Sequence, residues 1–356
     1  MITLILIIVV ISILILVHEW GHFYSARRLG IKVEEFGFGF PPKVFSRVKN
    51  GITYSFNLLP FGGFVRIFGE HGEGEGETDS FISRPPWQRF IILGAGVFMN
   101  LVLAWVFFSA GSVAGVPRLS DDENLSGVPV SIIGVMPDSP AMQAGIRFGD
   151  AIFELRSRDI SLRVETEDDV RDFVAAYRGE EITMVLKRGS EIREVFLRPR
   201  VNVPEGEGPI GVALGRIEFI KTSWYLAPIE GGRVLVRTVS ATVSGFWELI
   251  RELAVSGRAP VAVSGPVGIF FVADDTRSLG VTYFLQFIGI LSVNLAILNF
   301  LPIPALDGGR VLFLVIEKIK GSRVDPRVEN MIHAAGFVLL VVLMILVTYR
   351  DVVKIL

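Results

Sequence analysis

Residues 2–22 read ITLILIIVVISILILVHEWGH, an apolar run that leads directly into a cluster of ionisable side chains. His18, Glu19 and His22 form the pattern H-E-x-x-H, which a helix arranges with both imidazoles on one face and the carboxylate beside them. This arrangement suits one zinc ion and a general base. Burying such groups at the end of an apolar segment is costly unless they are paired or bind a metal. The alternative is a Glu–His pair that braces neighbouring helices.

The composition of the whole chain is that of an integral membrane protein. Hydrophobic residues make up 51% of the 356 residues, and charged residues make up 20%, below the roughly 25% of soluble proteins. The net charge of -2 lacks the strong basic excess of nucleic-acid binders, so we expect no nucleic-acid partner. The chain has no cysteine, which excludes disulfides and thiolate ligands. A metal must therefore bind to carboxylates and the four histidines.

Four segments are apolar and long enough to cross the lipid bilayer as helices of about 20 residues. They lie at 1–28, 89–117, 281–310 and 330–350. The first has neither the basic start nor the small-residue cleavage site of a secretory signal peptide, so we expect a retained span. Pro302 and Pro304 should break the third helix near its end, because proline lacks an N–H and clashes with the preceding turn.

The distribution of Lys and Arg predicts how the four spans are oriented. Eleven of these residues lie near the ends that join span 1 to span 2 and span 3 to span 4, whereas four lie near the other ends. Basic residues accumulate on the cytoplasmic side of a membrane. We therefore expect both of these connections in the cytoplasm, and both termini and residues 118–280 outside it.

A tetrahedral catalytic zinc with two histidine ligands needs a third protein ligand and keeps its fourth position for water. His71 lies in EHGEGEGE, which has the composition of a flexible solvated loop, and His333 in the fourth span can instead hydrogen-bond between helices. Asp307 lies near the end of the third span, which ends on the same cytoplasmic side as His18. The prolines before Asp307 can turn the chain back towards the histidines. The alternative for Asp307 is an ordinary turn residue before two glycines.

Three features occur together: HEWGH in the first span, the run N-x-x-P-x-P-x-x-D-G from Asn299 to Gly308, and an extracytoplasmic insert. In this combination the chain resembles the site-2 protease family of zinc intramembrane proteases, and in particular its bacterial branch of regulators of sigma-E. The resemblance extends over almost the whole chain. It implies that zinc is bound by His18, His22 and Asp307, with Glu19 as the general base. It also implies a substrate-handling segment in the third span that contains Asn294, Asn299, Pro302 and Pro304.

The resemblance implies a polytopic α-helical membrane protein with two insertions between its four transmembrane helices. Residues 29–88, with EEFGFGFPP at 34–42 and NLLPFGGFVRIFGE at 57–70, are similar to a membrane-associated β-hairpin region on the cytoplasmic side. The dipeptide Asn50–Gly51 suits the tight turn of such a hairpin. An edge strand of the hairpin could bind an extended substrate by β-addition. Residues 128–203 resemble a single extracytoplasmic PDZ domain, an α/β unit, in PDSPAMQAG and FGDAI, but lack a clear glycine-rich loop for peptide carboxylates.

The remaining segments are predicted to connect these parts. Residues 118–127 should form a linker, and residues 204–280 a second linker that contains an amphipathic helix at 231–257, at the membrane interface or on the protein surface. The uncharged fragment 259–273 is interrupted by prolines and glycines, so we expect it at the membrane surface or against protein. Residues 311–329 are predicted to be a cytoplasmic loop.

The predicted function is zinc-dependent hydrolysis of peptide bonds within the membrane. By the resemblance, the substrate is a transmembrane segment of a single-pass protein, such as an anti-sigma factor already trimmed by an upstream site-1 type protease, or a signal-peptide remnant. The resemblance also implies the inner membrane of a bacterium. Two other classes stay open. One is a non-enzymatic scaffold that recruits partners through the PDZ-like unit; the other is a metal transporter, which needs more ionisable residues through several spans.

Overall fold

The computed structural model describes residues 2–120, 127–158, 160–189, 191–204, 206–256 and 265–355. The helices are α1 (Ile2–Arg28), α2 (Pro86–Ala114), α3 (Pro140–Gln143), α4 (Glu167–Ala176), α5 (Ala227–Ser256), α6 (Pro266–Leu279), α7 (Val281–Phe300), α8 (Asp307–Lys320) and α9 (Pro326–Ile355). The strands are β1 (Val33–Lys49), β2 (Ile52–Ile67), β3 (Val116–Ser120), β4 (Val130–Val135), β5 (Ala151–Ser157), β6 (Ile160–Arg163), β7 (Ile182–Arg188), β8 (Glu191–Leu197) and β9 (Val212–Ile220). They fall into two compact units. The first unit comprises Met1–Ala110, Trp224–Asp274 and Leu285–Leu356, and the second comprises Gly111–Ser223 and Asp275–Phe284.

Four helices among the described residues are long and apolar enough to cross a membrane: α1, α2, α7 and α9. They coincide with the four predicted spans. Helices α2 and α9 begin earlier than predicted, at Pro86 and Pro326, because proline is well suited to the first turn of a helix. Helix α7 ends at Phe300, so Pro302 and Pro304 lie beyond it, as predicted.

Strands β1 and β2 of the first unit form the predicted β region and fold back on themselves. Residues 33–38 pair with residues 63–67 on one side, and residues 35–38 also pair with residues 53–56 on the other. Asn50 and Gly51 have φ values of 52° and 77°, the two positive values that a tight hairpin turn requires. The sheet packs against the end of α1, since Val33, Ile52 and Ile67 share one buried cluster with Phe23.

The second unit is an α/β unit built on one sheet with the strand order β3-β9-β4-β5-β7-β8, and β6 pairs with β5. The sheet extends beyond the predicted limits of 128–203, because both β3 and β9 belong to it. The sequence after residue 203 has the Pro, Gly and Glu content of a linker, which concealed β9. Residues 118–120 of the predicted linker 118–127 lie in β3, and residues 121–126 lie outside the described residues. The PDZ-like identity of this unit stays a prediction.

The prediction that residues 311–329 form a cytoplasmic loop is wrong for residues 311–320, which belong to a helix. Helix α8 extends to Lys320 and ends at Gly321, whose φ of 76° gives a left-handed cap. Its charged residues conceal an amphipathic pattern in which Phe313, Leu314 and Glu317 are buried. The Glu317 carboxylate accepts a hydrogen bond of 2.8 Å from Arg89 Nη1, which compensates for its burial.

Two further segments are more helical than the sequence suggested. The predicted amphipathic helix at 231–257 is part of α5, which has 30 residues and is about five turns longer than an average helix. The fragment 259–273, which was expected to be interrupted, contains the start of α6 at Pro266. Proline at this position has no helical partner to lose, so it starts the helix instead of breaking it. Residues 257–264 lie outside the described residues.

A buried ion pair connects β7 of the second unit to the start of β5. Arg188 Nε and Nη2 donate to the two carboxylate oxygens of Asp150 at 2.6 and 2.7 Å. Arg188 Nη2 also donates to the carbonyl of Gly145 at 2.8 Å, and the backbone N–H of Arg147 donates to Asp150 at 2.9 Å. Asp150 is fully buried and Arg188 is 6% exposed. The hydrogen bonds that Arg188 donates to Asp150 raise the pKa of Arg188.

Replacing Arg188 with Met should destabilise this sheet by about 3–5 kcal/mol, because it leaves the Asp150 carboxylate buried without its cation. Hydrogen exchange of the β5 and β7 amides should then be much faster than in the wild-type protein. Arg193→Met is the matched control, since Arg193 pairs with Glu191 on the exposed surface of β8. Equal exchange rates in the two variants would contradict this account.

Candidate metal centre

Helix α1 brings the two histidines of the H-E-x-x-H pattern to one buried position. His18 and His22 are each 6% exposed, and their Nε2 atoms lie 3.2 Å apart. Four residues make slightly more than one helical turn, so both imidazoles leave α1 on the same face. Neither ring is free to turn away, because other helices contact both of them.

Asp307 lies beside the two histidines although it is almost 300 residues further along the chain. After α7 ends, the chain turns through residues 301–306, and Asp307 is the first residue of α8. Its Oδ2 atom lies 3.0 Å from His18 Nε2 and 3.2 Å from His22 Nε2. The structure therefore brings together the three residues that the sequence predicted as metal ligands.

The spacing of these three atoms fits a metal ion. Ligand atoms about 2.0–2.1 Å from a tetrahedral zinc lie about 3.3 Å from one another, close to the separations of 3.0 and 3.2 Å between Asp307 and the histidines. Asp307 Oδ2 is buried and accepts no hydrogen bond from the described residues. Two imidazole nitrogens and a carboxylate oxygen that face one another in this way form a donor set for zinc.

The ring of His22 is oriented by a backbone carbonyl. Its Nδ1 atom lies 2.8 Å from the carbonyl oxygen of Ile92 on α2, so Nδ1 donates a hydrogen bond there. The lone pair of the neutral ring is then on Nε2, the atom that faces Asp307. Metal-binding histidines usually have such a partner on the other ring nitrogen.

Asn100 of α2 is placed to orient His18 in the same way. Its amide lies 3.4 Å from His18 Nδ1, and Asn100 is fully buried. If His18 binds a metal through Nε2, Nδ1 carries the proton and needs an acceptor. Exchange of the amide oxygen and nitrogen, which have nearly the same shape, lets Asn100 Oδ1 accept that proton. It also gives this buried oxygen a partner, which it otherwise lacks.

Glu19 lies beside the three-residue group and is not part of it. Its side chain is half-buried, and a Cβ built on Gly63 of β2 would lie 3.8 Å from Glu19 Cγ. Residues of β2 run along α1 here, since Ser12 Oγ donates to the carbonyl of Pro60 at 2.7 Å. The Glu19 side chain thus lies close to β2 and within electrostatic range of the three-residue group.

The four residues predicted to handle substrate have different positions. Asn299 lies at the site, with its amide nitrogen 3.4 Å from His18 Nε2. Asn294 instead accepts a hydrogen bond of 3.2 Å from Thr242 Oγ1 on α5. Pro302 and Pro304 lie in the turn between α7 and α8 and are absent from the metal group.

The sequence did not specify the contacts of two further residues, Gly96 and His333. Gly96 of α2 faces the histidines so closely that a Cβ there would lie 2.6 Å from His18 Cε1 and 2.8 Å from His18 Nδ1. The spacing of Gly96 and Asn100, four residues apart, could have indicated one shared face. His333 was expected to bond between helices, but it accepts a hydrogen bond from the turn that precedes Asp307. His71 lies in the exposed loop that was predicted, away from the metal group.

The chain is similar to known proteins over almost its whole length. A family model described as Peptidase family M50 matches residues 6–343. A protein of Clostridium perfringens, provisionally named a zinc metalloprotease, is 34% identical over 343 residues, which cover 96% of each chain. The zinc metalloprotease RasP of Oceanobacillus iheyensis is 30% identical, with 99% of each chain covered. The regulator of sigma-W protease RasP of Bacillus subtilis is 28% identical, with 98% of each chain covered.

Gly96→Ala should displace the imidazoles, because the new methyl group would overlap both rings. A shift of about 1 Å at a catalytic site can reduce the rate about 100-fold, and we expect a loss of this size together with weaker zinc retention. Gly94→Ala is the matched control, since a Cβ there meets nothing within 4 Å. Proteolysis and zinc content of both variants test this. Full activity and zinc in Gly96→Ala would show that the close approach is not needed.

Proposed function

Since the chain belongs to peptidase family M50, the site-2 proteases, we propose that its zinc site is the group formed by His18, His22 and Asp307. The protein is a membrane zinc metalloendopeptidase, as its named relatives are metalloproteases over their full length. Neither the scaffold hypothesis nor the transporter hypothesis accounts for this similarity, and a scaffold has no need of a buried three-residue donor set. The observation that carries the proposal is the position of Asp307 Oδ2 within 3.2 Å of both imidazoles.

Each side chain at the site then has a separate task in peptide hydrolysis. Zinc, when bound, supplies a Lewis acid that polarises a carbonyl and makes water more acidic. Glu19 takes a proton from the attacking water and delivers it to the amine that leaves as the C–N bond breaks. Asn299 can hydrogen-bond to the substrate backbone, since its amide lies beside His18. Ile92 and Asn100 keep the histidine rings in place.

A transmembrane helix hides its carbonyl groups in internal hydrogen bonds, so a substrate must unwind before it can be cut. We assign this task to residues 59–67 of β2, which lie along α1 next to Glu19. In the described part of the chain, residues 63–67 pair with a strand only on the side of residues 33–38. Their other side can accept an extended peptide by β-addition, which replaces the hydrogen bonds that the helix loses.

The proposed substrate is a transmembrane segment of a single-pass membrane protein. A relative carries the name of a regulator of sigma-W, which favours a signalling substrate such as an anti-sigma factor, already trimmed by an upstream site-1 type protease. A signal-peptide remnant suits the same chemistry.

The predominance of basic residues near two of the span connections supports an active site near the cytoplasmic side of a bacterial inner membrane. Both termini and the PDZ-like unit are then outside, where that unit filters substrates by size or partner.

Glu19→Gln should abolish cleavage without loss of zinc, because the amide keeps the shape of the side chain but cannot take a proton. We expect a decrease of at least about 100-fold in the rate of cleavage of a single-pass substrate in liposomes. Glu34→Gln, a change to a half-buried acid of β1, serves as the control. Rapid cleavage by Glu19→Gln would refute the assignment of the base, and zinc loss from this variant would indicate that Glu19 is a ligand instead.

A further inference from the structure

The turn between α7 and α8 determines where Asp307 lies, and its backbone has an unusual conformation. Ala305, two residues before Asp307, has a φ of 79°. Residues other than glycine rarely adopt this left-handed region, so surrounding contacts must hold Ala305 there. The following residues allow little freedom. A Cβ on Gly309 would lie 3.1 Å from Pro304 Cα, and even closer to the carbonyl of Ile303.

The contact that holds Ala305 comes from α9. The backbone N–H of Ala305 donates to Nδ1 of His333 at 2.9 Å. Helix α9 approaches the same turn at Gly336, where a Cβ would lie 2.5 Å from Pro304 Cβ and 2.7 Å from the Pro304 carbonyl oxygen. The ring of His333 also packs at 5.6 Å from the ring of Phe313 on α8. His333 therefore contacts the turn before Asp307 and the helix that follows it.

The hydrogen bond from Ala305 determines which nitrogen of the His333 ring carries the hydrogen. A backbone N–H can only donate, so Nδ1 must be the unprotonated nitrogen and Nε2 must carry the hydrogen. Nε2 is buried, and the described residues offer it no hydrogen-bond partner. A buried donor without a partner costs stability. An apolar side chain would fill this space without that cost, so the property that favours histidine is the acceptor at Nδ1.

We propose that His333 is a positioning residue for the metal site. It fixes Ala305 in the left-handed region and thereby directs the Asp307 carboxylate at His18 and His22. This inference rests on the proposed role of Asp307 as a zinc ligand. His333 contacts neither substrate nor the reacting atoms in this scheme. Its effect should appear in how firmly the site holds zinc as well as in turnover.

The test compares three substitutions at residue 333 that differ in the position of an acceptor. In His333→Asn the side-chain oxygen is the same number of bonds from Cα as Nδ1 of histidine. In His333→Gln the oxygen is one bond further away, and His333→Leu has no acceptor. Full-length variants loaded with zinc in detergent are mixed with excess chelator, and the rate of zinc release is followed. His71→Leu, a change to a histidine in an exposed loop, and Asp307→Ala complete the set.

We expect His333→Leu and His333→Gln to release zinc about tenfold faster than the wild type, as is typical when the partner of a ligand is lost. Their kcat should fall with little change in KM. His333→Asn and His71→Leu should stay close to the wild type. If His333→Leu does not fold, the difference in zinc-release rate between His333→Asn and His333→Gln still tests the role of the acceptor.

Two results would overturn the role of His333: wild-type zinc release by His333→Leu, or equal impairment of His333→Asn and His333→Gln. The second would mean that the ring matters only for packing. The Asp307→Ala variant separates these failures from a failure of the proposed zinc site. If Asp307→Ala retains zinc as firmly as the wild type, Asp307 is not a ligand and the premise itself is wrong.

Discussion

Two imidazoles and a carboxylate face one another in the first unit, and most of its architecture keeps them in that position. His18 and His22 come from the first helix and Asp307 from the start of α8, yet their facing atoms lie 3.0 to 3.2 Å apart. Groups of this kind are costly to bury in apolar surroundings unless a cation satisfies them. The arrangement is therefore better explained as a binding site for a metal than as a device for stability.

Close approach of the backbones makes this convergence possible. Gly21 of α1 lies against Ala95 of α2, where a Cβ would be 2.7 Å from the Ala95 carbonyl carbon, and Gly96 leaves room for the two rings. Helices within a membrane gain little from hydrophobic burial against one another, so small residues and hydrogen bonds determine which faces meet. The carbonyl of Ile92 and the amide of Asn100 then become available to the histidines. The same contacts that pack α1 on α2 thus orient the proposed ligands.

Features with a local signature in the sequence were predicted correctly. The apolar spans, the break after Phe300 and the Asn50–Gly51 turn each depend on a few neighbouring residues, and H-E-x-x-H needs only the helical repeat. Asp307 was found because topology and resemblance agreed. The features that were missed depend on distant partners. Strand β9 needs β3 and β4 to be recognised as part of a sheet, and α8 conceals its buried face among basic residues. The specific contacts of Gly96 and His333 were not predicted, because their partners come from distant parts of the chain.

The zinc content of purified protein, measured by mass spectrometry for the wild type and Asp307→Ala, tests the central claim most directly. An exposed aspartate of α4, changed in Asp168→Ala, provides the control. The account predicts about one zinc per chain in the wild type and in Asp168→Ala, and much less in Asp307→Ala. Zinc in Asp307→Ala equal to that in the wild type, or no zinc in carefully prepared wild-type protein, would contradict a metal site shared by α1 and the start of α8.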